Sequence, residues 1–132
     1  MIYQAFKAKD LPTILLLQTE DAEWSVAGPP DRIPWASPGR GPQGVANFLK
    51  VLGSLLVAES FEIDDYFESG EKVIALGFQK GYVRTTGVPY EFDFVHLWEL
   101  RGGKVTKFRV YYDTFYLADV LSKQTTTPET ST

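Results

Sequence analysis

Phe92-Asp93-Phe94-Val95-His96-Leu97-Trp98-Glu99-Leu100, then Arg101-Gly102-Gly103, then Lys104-Val105-Thr106-Lys107-Phe108-Arg109-Val110-Tyr111-Tyr112-Asp113, is the stretch that decides how this chain folds. Two runs of aromatic and β-branched residues flank a Gly-Gly pair, and both glycines can take positive φ without a Cβ clash, so the segment predicts a β-hairpin. A two-residue loop sets Arg101 across from Lys104. Counting outward, His96 faces Arg109, Phe94 faces Tyr111 and Phe92 faces Asp113, all on one side of the sheet because side chains alternate along strands. The other side carries Val95 and Leu97 against Val110 and Phe108. Neither side is polar, whereas an antiparallel sheet with one wet face alternates apolar and polar residues. Both faces therefore need cover. Helices of the same chain can supply one layer, and a second copy is the expected cover for the outer face, which makes a homodimer the default expectation.

Upstream, Ile2, Ala5 and Phe6 fit one face of a short helix. Asp10 is placed to cap a second helix over Leu11 to Leu17, with Pro12 tolerated in its first turn. Ala22 to Val26 alternates as a strand, and Ala27 to Gly41 is too rich in glycine and proline to be other than loop. Val45, Phe48, Leu49, Leu52, Leu55 and Leu56 recur at helical spacing after Pro42, so a long helix lays an apolar stripe on the sheet. Strands follow over Phe61 to Glu68, Lys72 to Arg84, Tyr90 to Leu100 and Lys104 to Asp113. A last helix spans Thr114 to Ser122. Residues 123–132 contain no apolar side chain and read as a polar tail. Helices first and a run of strands afterwards predict an α+β domain over 1–122, with helices against one face of a curved antiparallel sheet.

Composition narrows the function classes. At 132 residues the chain has single-domain length, and with no cysteine it has neither disulfides nor thiolate chemistry. One histidine rules out a multi-histidine metal site within one copy, and strand alternation turns Glu91 and Asp93 away from His96, so no metal and no cofactor are expected. A net charge of -4 with dispersed Lys and Arg argues against nucleic acid. No apolar run approaches ~20 residues, so no membrane span is expected. The first residues lack the basic-then-apolar layout of a signal peptide, and the expected address is cytoplasmic.

The order of short motifs carries a resemblance. Ala5-Phe6-Lys7-Ala8-Lys9-Asp10-Leu11, Glu20-Asp21-Ala22-Glu23-Trp24, Gly41-Pro42-Gln43-Gly44-Val45-Ala46-Asn47-Phe48-Leu49, His96 with Gly103-Lys104-Val105, and Phe108 to Asp113 together resemble the SnoaL-like branch of the nuclear transport factor 2-like, or ketosteroid isomerase-like, superfamily. The resemblance implies a cone-shaped, cystatin-like roll enclosing an apolar pocket, commonly in homodimers. Polyketide cyclases, the ketosteroid isomerase and limonene-epoxide hydrolase share that fold, so it does not fix a reaction. The isomerase's acidic positions fall on Val95 and Val26 and its N-terminal tyrosine on Ile2, which argues against steroid isomerase chemistry. That alignment also points Val95 inward and His96 outward, unless a bulge shifts the register. The late-strand aspartate of the cyclases and the hydrolase resembles Asp113, with His96 as its nearest histidine counterpart.

Each candidate has a plain alternative. His96 is either a pocket acid/base with a near-neutral pKa or a histidine bonded within an aromatic face or interface. Asp113 is either the leading acid/base or the cap of the last helix. Arg109, placed beside His96, either disfavours the imidazolium or pairs with Glu99 or Asp93. Tyr82, Tyr112 and Phe48 read as ligand contacts or packing, and Trp24 and Trp35 as pocket walls or plugs. The expected ligand is a small hydrophobic or aromatic molecule, with cofactor-free cyclase, isomerase or hydrolase chemistry set against a non-catalytic binding or assembly module.

Overall fold

The computed structural model describes residues 10–36 and 39–123. The expected Ile2 to Phe6 helix and the tail after Lys123 lie outside the described residues. Helix α1 (Leu11–Leu16) starts where Asp10 accepts hydrogen bonds from the Thr13 backbone N–H at 3.3 Å and the Thr13 hydroxyl at 2.7 Å. Strand β1 (Gln18–Val26) follows, then a 3₁₀ turn at Pro34–Ala36, β2 (Gly39–Arg40) and helix α2 (Gly41–Leu55). Pro42 sits in the first turn of α2, Val45 and Phe48 are buried, and Leu49, Leu52 and Leu55 pack against the core, so the apolar stripe holds. Strands β3 (Leu56–Ser69), β4 (Lys72–Val83), β5 (Pro89–Arg101) and β6 (Lys104–Tyr111) precede helix α3 (Thr114–Ser122). The expected gap between the long helix and Phe61 is absent, because Leu56 is already extended and opens β3 directly.

The sheet has six strands in the order β2-β1-β6-β5-β4-β3. All neighbours are antiparallel except β1 and β6, which run parallel with Trp24 beside Phe108 and Val26 beside Val110. That parallel pair departs from the wholly antiparallel expectation. Bulges between Ala58 and Ser60 and between Ile63 and Asp65 bend β3 across β4. On the concave side, β4 is small where β5 is large: Ala75 opposes His96, Gly77 opposes Phe94 and Gly81 opposes Tyr90. A Cβ on Gly77 would collide with the Glu62 carbonyl and the Phe94 ring, and one on Gly81 with the Val57 carbonyl. These bare positions let the bent strands and the aromatic row approach each other.

The hairpin turn is as read: Gly102 and Gly103 have φ of +58° and +82°, and Arg101 pairs with Lys104. Beyond Leu100 and Val105, however, the register slips by one, so Glu99 pairs with Lys107 and His96 with Val110. Thr106 is the extra residue, and its hydroxyl donates to the Glu99 carbonyl at 3.1 Å. His96 is therefore not beside Arg109. The slip places Phe108 and Val110 on the same face as Trp98 and His96, and Val95 and Leu97 on the other with Arg109 and Tyr111.

The core lies between the concave face and α2, joined by the loop residues Ile33 and Trp35 and by Leu117 of α3. The convex face keeps Ile74, Phe67 and Tyr111 exposed and Val95 and Leu97 half-buried. No helix among the described residues is long and apolar enough to cross a membrane.

Candidate functional site

A cavity of about 500 Å³ opens between the concave sheet and α2, within the usual range for a small-molecule site. Its inner wall is aromatic. Trp24, wholly buried, meets Phe48 edge-on at 5.5 Å and Phe108 at 4.5 Å, and all three line the cavity. Phe61, Phe92 and Tyr112 continue the lining. Trp24 is held from behind by a short relay, in which its Nε1 donates to Gln18 Oε1 at 2.8 Å and Gln18 Nε2 donates to the Ile14 carbonyl at 3.1 Å. The loop contributes Trp35, whose Nε1 donates to the Tyr112 hydroxyl at 2.7 Å and so ties the Gly/Pro segment to the end of β6. Burial pushes the Tyr112 phenol well above its ordinary pKa, against the opposing effect of the Trp35 bond, so it stays protonated.

His96 is the buried ionisable side chain on this surface. It stacks on Phe94 at 4.1 Å and meets Phe108 edge-on at 4.8 Å, with Phe61 and Trp98 close by. Desolvation in that ring cage pulls its pKa down to about 3, so the imidazole is neutral at any ordinary working pH. A neutral ring offers one N–H donor and one acceptor nitrogen. It cannot serve as a resident imidazolium acid.

The structure brings His96, Trp24, Trp35, Phe48 and Tyr112 together in one lining, and leaves two expected residues out. Asp113 is exposed and caps α3, its Oδ1 accepting from the Tyr116 backbone N–H at 2.9 Å, and it is not part of the cavity wall. The strand ends at Tyr111 and the chain turns into α3 there, which directs the carboxylate to the helix end rather than into the hollow. Tyr82 is excluded by parity: on β4 the odd residues face inward, as Gln79 does in the lining, and Tyr82 is exposed. Arg109 lies on the convex face, donating to Ser25 Oγ and to the Tyr111 hydroxyl at 3.0 Å each, so neither an electrostatic partnership with His96 nor an ion pair with Glu99 or Asp93 forms.

Sequence reading passed over Gln79, Phe61, Phe92, Lys50 and Arg84, all of which line the cavity. Phe92 shares the even parity of His96 along β5 and was legible from it. Gln79 donates to the Tyr90 hydroxyl at 2.8 Å, and its inward direction follows from the neighbouring glycines of β4. Lys50 and Arg84 carry no local signal.

The motif order, the cone and the aromatic hollow meet in one comparison: the family model described as a SnoaL-like domain matches residues 1–108. The chain belongs to the SnoaL-like family. An NTF2-like protein of Burkholderia xenovorans LB400 is 30% identical and superposes with a TM-score of 0.82, over 92% of this chain and 90% of that one. An NTF2-like protein of unknown function from Burkholderia pseudomallei K96243 gives the same TM-score of 0.82 at 22% identity, over 92% of both chains. TerC, solved as a co-crystal with polyporic acid, superposes at 0.78 with 24% identity, over 92% of this chain and 93% of its own. These last two likenesses are of fold. Among curated proteins none matches the chain.

Proposed function

We propose that this SnoaL-like domain binds a small hydrophobic, aromatic molecule in its cone, oriented by the neutral His96 imidazole. The supporting observation is the cavity of about 500 Å³ walled by Trp24, Phe48, Phe61, Phe92 and Phe108 with His96 set among them. Flat rings gain from such walls by offset or edge-on contact beyond the area they bury. TerC, of like fold, was crystallised with polyporic acid. Cofactor-free turnover is the second reading, and His96 is the group that favours it. No Asp or Glu lines the cavity among the described residues, so in this reading the neutral imidazole orients the reacting group, one ring nitrogen donating and the other accepting a hydrogen bond.

The test is a titration of aromatic probes followed by tryptophan quenching and by turnover assays on the probes that bind. Ala46, half-buried on α2 and in the lining, gives a direct control. Ala46→Trp fills the hollow and is expected to weaken binding at least about tenfold, since a pocket that excludes a ring loses its contact area. Asp113→Ala is expected to leave binding unchanged while costing about 1 kcal/mol of stability through the lost helix cap. Undiminished binding to Ala46→Trp would place the ligand elsewhere and end this reading. Turnover that disappears in His96→Gln while binding persists would select the enzymatic version.

The convex face is the second part of the proposal: it pairs with the same face of another copy, covering Ile74, Val95, Leu97 and Tyr111. Analytical ultracentrifugation at micromolar concentration is expected to give a dimer for the wild type and a monomer for Leu97→Arg, with unchanged far-UV circular dichroism. A monomeric wild type would remove this part alone.

A further inference from the structure

The interior of the cavity is apolar, yet two cations belong to its lining. Lys50 on α2 and Arg84, just past the end of β4, are both solvent-exposed members of the wall. The fold draws them to one patch of the rim. Gly53, also in the lining, lies one helical turn after Lys50, on the same side of α2, and Arg84 Nε donates to the Gly53 carbonyl at 3.0 Å. A second bond, from the Arg84 backbone N–H to the Leu55 carbonyl at 2.8 Å, fixes the same segment against the helix end.

Satisfying the last carbonyls of α2 accounts for one of the five guanidinium donors. It leaves the remaining donors and the Lys50 ammonium without a carboxylate: the ion pairs among the described residues are Arg40 with Glu23, Arg101 with Asp21 and Lys123 with Asp119. The chain as a whole is acidic, at -4, whereas the charged side chains in the lining among the described residues are both cations, with Glu59 the neighbouring acid, beside the Val57–Ala58 part of the wall. A rim of that sign over a greasy hollow matches an amphipathic guest.

We propose that the ligand of this pocket is an aromatic anion, with its rings in the cone and its carboxylate, sulfonate or enolate oxygen at the rim against Lys50 and Arg84. This rests on the pocket reading and adds the charge of the guest to it. Arg supplies a planar fork and Lys a mobile point charge, a combination suited to oxyanions of varied geometry.

A matched pair of fluorescent probes separates the two claims. 8-Anilinonaphthalene-1-sulfonate and its neutral parent N-phenyl-1-naphthylamine differ by one sulfonate. The wild type is expected to bind the sulfonate roughly fivefold to tenfold more tightly at low salt, with the preference shrinking as added salt screens the exposed rim. Lys50→Glu is expected to erase or invert that preference while leaving the neutral probe's affinity within about twofold. Arg84→Gln should act in the same direction, and Lys50→Glu keeps the test decisive if loss of the Gly53 bond unsettles the fold. Equal affinity for both probes, each displaced by Ala46→Trp, would overturn the anion proposal and leave the pocket standing. Binding of neither probe, or binding that survives Ala46→Trp, would overturn both.

Discussion

Replacing Gly81 with valine is expected to destabilise the protein by about 3 kcal/mol or more, read as a lowered urea midpoint. The reason is a backbone collision rather than a lost contact. Gly81 sits opposite Ala58 at the first β3 bulge, and any Cβ there runs into the Val57 carbonyl, which cannot swing aside as a side chain would. Tyr90, its partner on β5, shares the concave face and blocks retreat in the other direction. Relief must come from separating β3 from β4, which opens the cavity wall. Gly53 gives the opposite result. It lies within α2, and a Cβ added there would meet nothing within 4 Å, so Gly53→Ala is expected to stabilise by about 0.5–1 kcal/mol. A Gly81→Val protein with an unchanged midpoint would show that β3 and β4 are not held this closely.

Acidification from pH 7 to 5 is expected to cost about 2 kcal/mol, and His96→Phe to remove most of that dependence. The folded-state pKa of His96 is about 3, below the ordinary 6.5 of an unfolded histidine, because burial among Phe94, Phe108 and Phe61 penalises the charged ring. Between those two values the unfolded chain binds the extra proton, so falling pH favours unfolding. Above about 6.5 neither state is protonated and the effect vanishes. His96 is the chain's single histidine, and between pH 5 and 7 most carboxylates are already ionised, so the slope in that window belongs to it. Phenylalanine has the size and shape to keep the stacking. Urea midpoints at several pH values measure the slope, and a flat wild-type profile would mean that water reaches the imidazole.

The hairpin, the long amphipathic helix and the α+β order were legible because each is written in local spacing: Gly102-Gly103 between two strands, and Val45, Phe48, Leu49 and Leu52 on one stripe. The direction of His96 was not. Thr106 is as suited to a regular strand as to a bulge, and what selects the bulge is the concave face, where β1 sets Trp24 beside Phe108 and Val26 beside Val110. That arrangement is non-local. A one-residue slip reverses every side chain beyond it, which is why Arg109 was read as a neighbour of His96 and Val110 was not. Asp113 had two chemically sensible roles, and only the path of the chain after Tyr111 decides between them. Trp24 and Trp35 reach the cavity wall from just before and within the Gly/Pro loop, Phe48 because it belongs to the apolar stripe of α2, and Tyr112 because it directly follows the last strand. Lys50 and Arg84 escaped because they are far apart in sequence, and their proximity exists only once α2 meets the end of β4.

The parallel seam between β1 and β6 also sets a timetable for biosynthesis. Trp24 has only the two-residue β2 on one side, at Gly39, until Phe108 has emerged, so a growing polypeptide carries β1 with its other edge open through the production of α2, β3, β4 and β5. Loop closure over such a span is entropically slow, and the waiting segment exposes ribbon edge and indole to other chains. The same seam that completes the aromatic cavity makes the nascent molecule most vulnerable just before it is finished.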